Sequence, residues 1–427
     1  YHPLWAALLT PVVGLVEPSM AAIRLTVLLQ ALMSGAAFLV LARMLVPRIG
    51  TWPVALGLGL WWLSPASITA ASTGVEASLV SLCVALLLAA AVHFVERPST
   101  SWALALGAMG GITFLARSDA ALAVIAAGLW AAVSASRRNP ECHRWLMRYF
   151  GVVVLTGSTV VAPWRFWNLD RFGTIEQSST WARPAVLWEL VLTSRSGAPR
   201  SALFPEGIAR ALTFLGDGLY ETLGLSRLLL VALGVGLGVA AAIAGRWSST
   251  MRSLGWLAAS LLVAGVLLAG FHAGVRWFPR VYYFEWLRMA LSMGAAVLVA
   301  AILGSGGRGV RSSRPSDQQA NIRLGRLAPT GRTLQVLRTT TCWLLGVVLV
   351  WNVGASVLTL TRPGAEWQPS MVAAAERLDD LMTDGERAVS FNSGYIGYLT
   401  DHPVTNVDGV VNNAAAEALR NRCLLYT

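Results

Sequence analysis

The sequence predicts an all-α polytopic membrane protein with a small α/β segment near its C-terminal end. Hydrophobic residues make up 55% of the 427 residues, charged residues only 13%, and the mean hydropathy is +0.59. Soluble globular proteins are much more polar than this. The hydrophobic residues also form separate runs of about 20 residues, the length at which a helix crosses the hydrocarbon core of a bilayer.

These runs predict about ten transmembrane helices, separated by Gly, Pro or charged residues. The fourth and fifth runs are short and also fit one broken hairpin. The predicted spans are residues 20–42, 53–71, 76–95, 102–116, 120–134, 147–163, 224–245, 254–272, 282–304 and 341–360.

One arginine-rich segment orients all of these helices. Residues 305–338 are dense in Arg and lie between the apolar runs 281–303 and 342–360. Short loops rich in Arg stay on the cytoplasmic side of a membrane. When the spans are threaded from this loop, Arg43 and Arg97 also fall on the cytoplasmic side. The net charge of +11 is therefore explained by orientation.

The sequence divides into two predicted domains. Residues 1–360 form a transmembrane helical domain with a long outer loop at 164–223 and a flexible cytoplasmic loop at 305–338. Residues 361–427 form an extracytoplasmic α/β tail. Its predicted elements are a helix at 369–382 and strands at 388–391 and 403–407.

Both ends of the sequence predict truncation. The chain opens without an initiator Met, and residues 423–427 read like a translated sequencing adapter. We therefore expect a longer natural protein, in the cytoplasmic membrane of a bacterium.

Composition and motifs also exclude several functions. The basic residues do not cluster on one face of a polar domain, so no nucleic-acid partner is expected. The sequence has no P-loop, HExxH or GxSxG element, which argues against ATP hydrolysis and zinc proteolysis. Its 4 Cys form no CxxC metal pair and no disulfide framework.

Charged and aromatic residues gather at the predicted outer ends of the helices. Charges at membrane depth are costly and normally face a protein interior or a wet cavity. Arg side chains beside Tyr and carboxylates suit a phosphate-bearing ligand, because Arg offers paired hydrogen bonds to phosphate oxygens. The candidates for binding substrate or phosphate are Arg117, Arg165, Arg276, Arg280, Tyr282, Tyr283, Glu285 and Arg288, and those for supporting catalysis are Glu76, Asp119 and His2.

Each candidate also has a structural explanation. Glu76 fits the first turn of a helix, where its charge favours the helix dipole. Arg117 and Asp119 are close enough in sequence to pair across their turn. The side chains of Arg276 and Arg280 can instead extend towards lipid headgroups. A lone histidine such as His2 is usually structural.

Arg288 is harder to explain as a surface charge. It lies about one turn inside an otherwise apolar helix and therefore needs a partner. Glu285, three residues earlier, is the nearest carboxylate in the sequence.

Four short motifs give the chain a family resemblance. Residues 1–5 (YHPLW), 74–77 (GVEA), 115–119 (LARSD) and 406–413 (NVDGVVNN) occur in this order. They resemble elements of the GT-C superfamily, the multi-spanning glycosyltransferases that use polyprenyl-phosphate-linked sugars. The bacterial branch related to protein O-mannosyltransferases and aminoarabinose transferases is the most similar. The second motif departs from the family's GMET, with Val and Ala in place of Met and Thr.

The resemblance implies a GT-C-like helical bundle that transfers a sugar, with inversion, from a polyprenyl-phosphate donor to a glycan, lipid or protein acceptor on the outer face. In this family an acidic residue of the first outer loop acts as a base or holds a divalent cation. No other cofactor is implied. That carboxylate would precede Tyr1, and Glu76, Arg117, Asp119, Arg276 and Arg280 would support it.

A transporter or flippase of lipid-linked saccharides is the alternative interpretation. Such proteins commonly have internal repeats and ionisable groups near the bilayer midplane. Here no repeat of fixed period is visible, and the charges gather at one face, which favours the enzyme. A structural envelope protein would leave Arg288 unexplained.

Overall fold

Helices dominate the described part of the chain. The computed structural model describes residues 2–16, 20–138, 143–175, 203–214, 248–275, 281–304, 331–361, 367–390 and 394–406. These residues form long apolar helices and one sheet of two strands. The predicted class, an all-α polytopic membrane protein, is confirmed.

The elements follow one another with short connections wherever consecutive residues are described. The α-helices are α1 (Pro3–Val16), α2 (Met20–Ile49), α3 (Thr51–Trp62), α4 (Pro65–Ser72), α5 (Ala77–Glu96), α6 (Thr100–Ala116), α7 (Ala121–Arg138), α8 (His143–Phe172), α9 (Leu203–Thr213), α10 (Ser249–Val275), α11 (Glu285–Gly304), α12 (Gly331–Thr361), α13 (Trp367–Leu381) and α14 (Gly394–Leu399). The 3-10 helices are η1 (Ser118–Ala120) and η2 (Val281–Phe284), and the strands are β1 (Ala388–Ser390) and β2 (Val404–Asn406).

The predicted spans agree with these helices in position but not always in length. Within the described residues, 6 helices are long and apolar enough to cross a membrane, or up to 7 if a bent pair counts as one span. The span predicted at 224–245 lies outside the described residues. Helix α2 continues to Ile49, beyond its predicted end at residue 42, because Arg43 does not stop a helix that packs on α5.

Two helices extend into segments that the sequence predicts as loops. The outer loop was expected from residue 164, but α8 continues to Phe172. It ends where Gly173 adopts a φ of 66°, a conformation that favours glycine and commonly closes a helix. The cytoplasmic loop was expected to reach residue 338, but α12 begins at Gly331. The amphipathic stretch between Gly331 and residue 338 continues the apolar helix without a breaker.

The bent pair is α3 and α4, which meet at an angle of 55°. Pro65 starts α4, where its missing N–H costs nothing. The Ser64 hydroxyl accepts the Ser67 N–H at 3.2 Å and so caps the new helix. The sequence Leu63-Ser64-Pro65 therefore ends α3 and starts α4 at this point.

The bend between α3 and α4 frees backbone carbonyl groups that accept hydrogen bonds from α12. Asn352 of α12 donates to the carbonyl of Leu60 at 3.2 Å, and Ser356 donates to that of Leu63 at 2.8 Å. Backbone groups inside a membrane must find partners within the protein. The bent pair is thus tied to α12.

Helices α5 and α11 form the centre of the bundle. In their most apolar stretches 78% and 83% of the residues are buried, against 22% for α2 and α12. Both central helices are apolar on nearly every side, as expected for helices enclosed by others. Leu87 and Leu88 of α5 and Trp286 of α11 are among the most deeply buried large side chains.

Small residues let several helices approach closely. A Cβ added at Gly57 would lie 2.5 Å from the Cβ of Ala296, so α3 packs directly on the backbone of α11. Gly107 and Gly111, one turn apart on α6, face Gly157 of α8 in the same way. Close contact between small residues is a main source of helix association in membranes.

The C-terminal α/β unit agrees with its prediction where it is described. Helix α13 and strands β1 and β2 match the predicted elements. The strands are parallel, with Ala388 opposite Val404, and α14 forms the connection between them. Most of the motif at 406–413 lies outside the described residues.

Candidate active site

Five ionisable residues from four separate segments meet at one end of the helix bundle. They are His2 before α1, Glu76 at the start of α5, Arg117 and Asp119 between α6 and α7, and His272 near the end of α10. We call these five residues the carboxylate network. The threading of the sequence placed Glu76, Arg117 and Asp119 on one membrane face, and the structure brings their side chains together.

Arg117 lies at the centre of the network and is only 2% exposed. Its Nη2 donates to Asp119 Oδ2 at 2.7 Å, and its Nη1 donates to the carbonyl of Tyr282 at 3.2 Å. Its guanidinium also lies over the ring of Tyr283, 4.5 Å from the centroid. The predicted pairing of Arg117 with Asp119 is confirmed, and the guanidinium also anchors η2.

Asp119 is held by two donors. Its Oδ2 lies 2.7 Å from Arg117 Nη2 and 2.8 Å from His272 Nε2. Asp119 sits in the short 3-10 turn η1, because the chain leaves α6 at Arg117 in an extended conformation before α7 begins. Both donors fix the orientation of this short side chain.

Glu76 is the carboxylate with the weakest contacts in the network. It is 9% exposed, and its Oε1 lies 3.4 Å from His2 Nε2 and 3.8 Å from Arg117 Nε. Its side chain does not cap α5. Instead Gln30 of α2 accepts the Ser78 N–H at 3.0 Å. The Glu76 carboxylate is therefore left facing two cationic or polar groups at long range.

His2 is neutral at physiological pH. Burial lowers the pKa of His2 to about 4, and this effect outweighs the opposing attraction of Glu76. A neutral imidazole beside Glu76 can donate or accept a hydrogen bond without adding charge. Within the described residues, Arg117 is consequently the one permanent cation facing two carboxylates.

A second buried group lies at the start of α11. Glu285 accepts a hydrogen bond from Trp61 Nε1 at 2.7 Å and pairs with Arg288 one turn later. Arg288 also donates to the carbonyl of Ala66, at the bend between α3 and α4. We call Glu285, Arg288 and Trp61 the Glu285 group. The predicted pairing of Arg288 with Glu285 is confirmed.

The remaining candidates lie apart from the network or outside the described residues. Arg165 of α8 lies over the rings of Phe114 and Trp164, at 5.1 and 5.4 Å, and donates to the carbonyl of Ile175. Arg276 and Arg280 fall outside the described residues, and their binding roles stay predictions.

Sequence reasoning missed His272. His272 belongs to none of the four motifs and lies within an apolar run. The structure buries it to 1% exposure and stacks it on Tyr283, with 4.6 Å between ring centroids and 13° between ring planes. Its position at the outer end of a predicted span, level with the other candidates, was the available signal.

No protein-family model matches the sequence, and no curated protein matches it. Two solved structures of ArnT from Cupriavidus metallidurans, a GT-C protein, are similar to the chain. The structure bound to undecaprenyl phosphate has a TM-score of 0.51 and 14% identity, and the apo structure has 0.54 and 15%. Each match covers 98% of this chain and 78% of that chain. The chain has the GT-C fold. An identity this low shows the fold alone.

The GT-C resemblance raises the question of a divalent cation. Among the described residues, no three His, Cys, Asp or Glu side chains are placed to hold a metal ion. In the network Arg117 lies between Glu76 and Asp119, where it takes the place that a cation would need. The described residues do not fit a cation site.

Proposed function

We propose that this protein is an integral membrane glycosyltransferase. It transfers a sugar from a polyprenyl-phosphate-linked donor to a glycan, lipid or protein acceptor on the outer face of the cytoplasmic membrane. The observation that carries the proposal is the carboxylate network, which buries two carboxylates around one arginine at one end of a GT-C helix bundle. Buried charge of this kind in a membrane protein usually marks a functional site.

The donor class is supported by one of the similar structures. ArnT of Cupriavidus metallidurans is bound to undecaprenyl phosphate in that structure. A long isoprenoid chain would lie in the membrane beside the bundle, and its phosphate would reach the ends of the helices. The network lies at such an end.

The family resemblance places the principal base before Tyr1 and gives Glu76 a supporting role, but our proposal assigns the proton-accepting step to Glu76. An acceptor hydroxyl attacks the anomeric carbon while the bond from that carbon to the phosphate oxygen breaks. The bonding electrons leave with the polyprenyl phosphate, and the hydroxyl proton passes to Glu76. Among the described residues, Asp119 is held by two short hydrogen bonds and Glu76 by none, so Glu76 suits this role.

Arginine side chains would offset the charge on the departing phosphate. The sequence predicts Arg117 for this role, but its guanidinium already contacts Asp119, Glu76 and the Tyr282 carbonyl. In our proposal Arg117 holds the two carboxylates in place. Arg276 and Arg280 are proposed as the phosphate ligands.

The direct test is sugar transfer by the purified full-length protein in lipid nanodiscs. We expect a radiolabelled sugar to pass from polyprenyl phosphate to an envelope acceptor. Arg276→Ala should raise the KM for the donor, with Arg252→Ala, at the opposite end of α10, as the control. Movement of the labelled lipid across proteoliposome membranes without covalent transfer would overturn the proposal and favour the transporter.

A further inference from the structure

His272 is buried in the carboxylate network although no motif includes it. We propose that His272 is a positioning residue, whose Nε2–H holds Asp119 and thereby fixes Arg117 beside Glu76. The inference rests on the proposed function, because it concerns how the same site keeps its geometry. It concerns an indirect role, since His272 acts through Asp119.

The distance of 2.8 Å from His272 Nε2 to Asp119 Oδ2 sets the proton position. The oxygen also accepts from Arg117, as an ionised carboxylate does. An imidazole nitrogen this close to a carboxylate oxygen must carry a proton, because two lone pairs would otherwise face each other. His272 is therefore protonated at Nε2, in the neutral or the charged form.

Aromatic neighbours fix the plane of the imidazole ring. Tyr283 stacks on it at 4.6 Å, and Phe284 meets it edge-on at 6.4 Å. Tyr283 also lies under the Arg117 guanidinium. The same tyrosine ring thus contacts both donors to Asp119.

The hydrogen bond from His272 matters because Arg117 faces two carboxylates. Without it, Arg117 would be the one donor left to Asp119 among the described residues, and the short Asp119 side chain could turn with the guanidinium. Arg117 Nε would then shift from its place 3.8 Å from Glu76. A displacement of about 1 Å in a reacting group can cost about 100-fold in rate.

Two substitutions separate positioning from packing. His272→Phe keeps a ring that stacks on Tyr283 and removes the N–H. His272→Gln keeps an N–H at a similar reach and removes the ring. We expect His272→Phe to lower kcat by about 100-fold with the donor KM within about twofold, and His272→Gln to recover at least about tenfold of that loss. If His272→Phe is as active as His272→Gln or more so, the residue only packs and the inference is wrong.

His93 provides the matched control. It also stacks on an aromatic ring, that of Trp102 at 4.6 Å, but it lies near the other end of α5. His93→Phe should leave kcat within about twofold of the wild type. A loss equal to that of His272→Phe would assign the effect to general stability and overturn the inference.

A second measurement does not depend on activity. In ¹⁵N NMR spectra of histidine-labelled protein in nanodiscs, the resonances missing from the His272→Gln spectrum belong to His272. We expect Nε2 to be protonated, and a tautomer protonated only at Nδ1 would overturn the inference. Wild-type protein without transfer activity would instead overturn the proposed function, and the spectrum would still decide the hydrogen bond.

Discussion

The carboxylate network and the Glu285 group both bury an arginine beside a carboxylate, but they differ in charge balance. In the Glu285 group one Arg288 faces one Glu285, and Trp61 supplies a further donor. In the network one Arg117 faces two carboxylates, and Glu76 Oε1 lies 3.4 Å from His2 Nε2 and 3.8 Å from Arg117 Nε. The first arrangement matches one arginine to one carboxylate, whereas in the second two carboxylates share one arginine among the described residues.

Buried charge therefore indicates a candidate functional site where it is left unbalanced, as in the network, and a structural contact where it is matched, as in the Glu285 group. A matched ion pair inside a membrane protein ties helices together, here α3, α4 and α11. An unmatched carboxylate persists when something else uses it. We therefore expect substitutions in the network to affect turnover first, and those in the Glu285 group to affect stability first.

The largest expected effect is on turnover in the network. Glu76→Gln keeps the size of the side chain and removes its ability to take a proton. We expect kcat to fall by about 100-fold to 10,000-fold. The free energy of unfolding should change little, because Glu76 makes no short hydrogen bond among the described residues. Transfer assays and denaturant unfolding of the same preparation measure both quantities.

Glu96→Gln is the control for this substitution. Glu96 ends the same helix, α5, and pairs with Arg48 at the opposite end of the bundle. The kcat of the Glu96→Gln variant should equal that of the wild type. Equal losses of kcat in Glu76→Gln and Glu96→Gln would contradict the assignment of the active site to the Glu76 end of α5.

The next largest effect is on stability in the Glu285 group. Arg288→Met leaves Glu285 buried at 4% exposure with Trp61 as its remaining donor. Removing one partner of a buried pair costs about 3 to 5 kcal/mol in the free energy of unfolding. Replacing both, as in Glu285→Leu with Arg288→Met, should recover most of that loss.

The double variant also tests the predicted role of this pair in substrate binding. If it regains stability and keeps the wild-type KM for the donor, Glu285 and Arg288 serve the structure. A stable double variant with a strongly raised KM would instead place the pair in the substrate site and remove the contrast with the network.

A smaller loss is expected from Trp61→Phe. Phenylalanine fills most of the same volume but leaves Glu285 without the hydrogen bond of 2.7 Å. The free energy of unfolding should fall by about 1 to 3 kcal/mol. Trp52→Phe, at a position 77% exposed, should change it by much less. Unfolding followed by circular dichroism would compare the two, and equal losses would contradict the role of the hydrogen bond.

The smallest effect is expected from Arg48→Ala. Arg48 and Glu96 also form an ion pair, here with two nitrogens on two oxygens, but Glu96 is 32% exposed. Exposed pairs contribute about 0.2 to 1 kcal/mol. The loss should shrink further at high salt. A loss as large as that of Arg288→Met would show that burial does not govern these pairs.

Much of this arrangement could be predicted because it depends on short-range rules. Apolar runs and the arginine-rich loop place Glu76, Arg117 and Asp119 at one face without any tertiary information. The pairing of Arg288 with Glu285 follows from their helical spacing. Helix ends were less predictable, since α8 continues until Gly173 adopts a positive φ.

The contacts that could not be predicted from the sequence depend on packing between distant segments. Trp61 and Glu285 are separated by 224 positions, and His272 and Asp119 by 153. No periodicity within one helix indicates which side chain of another helix will face it. The weak contacts of Glu76, which decide its proposed role, also emerge only when all neighbours are in place.

The bend between α3 and α4 has a consequence for biogenesis. The carbonyls that it frees at Leu60 and Leu63 are satisfied by Asn352 and Ser356, which a ribosome adds 292 and 293 residues later. Until then the carbonyls of the newly inserted segment must accept hydrogen bonds from water or from the insertion machinery. The bent span of α3 and α4 therefore reaches its final shape only after α12 has been synthesised.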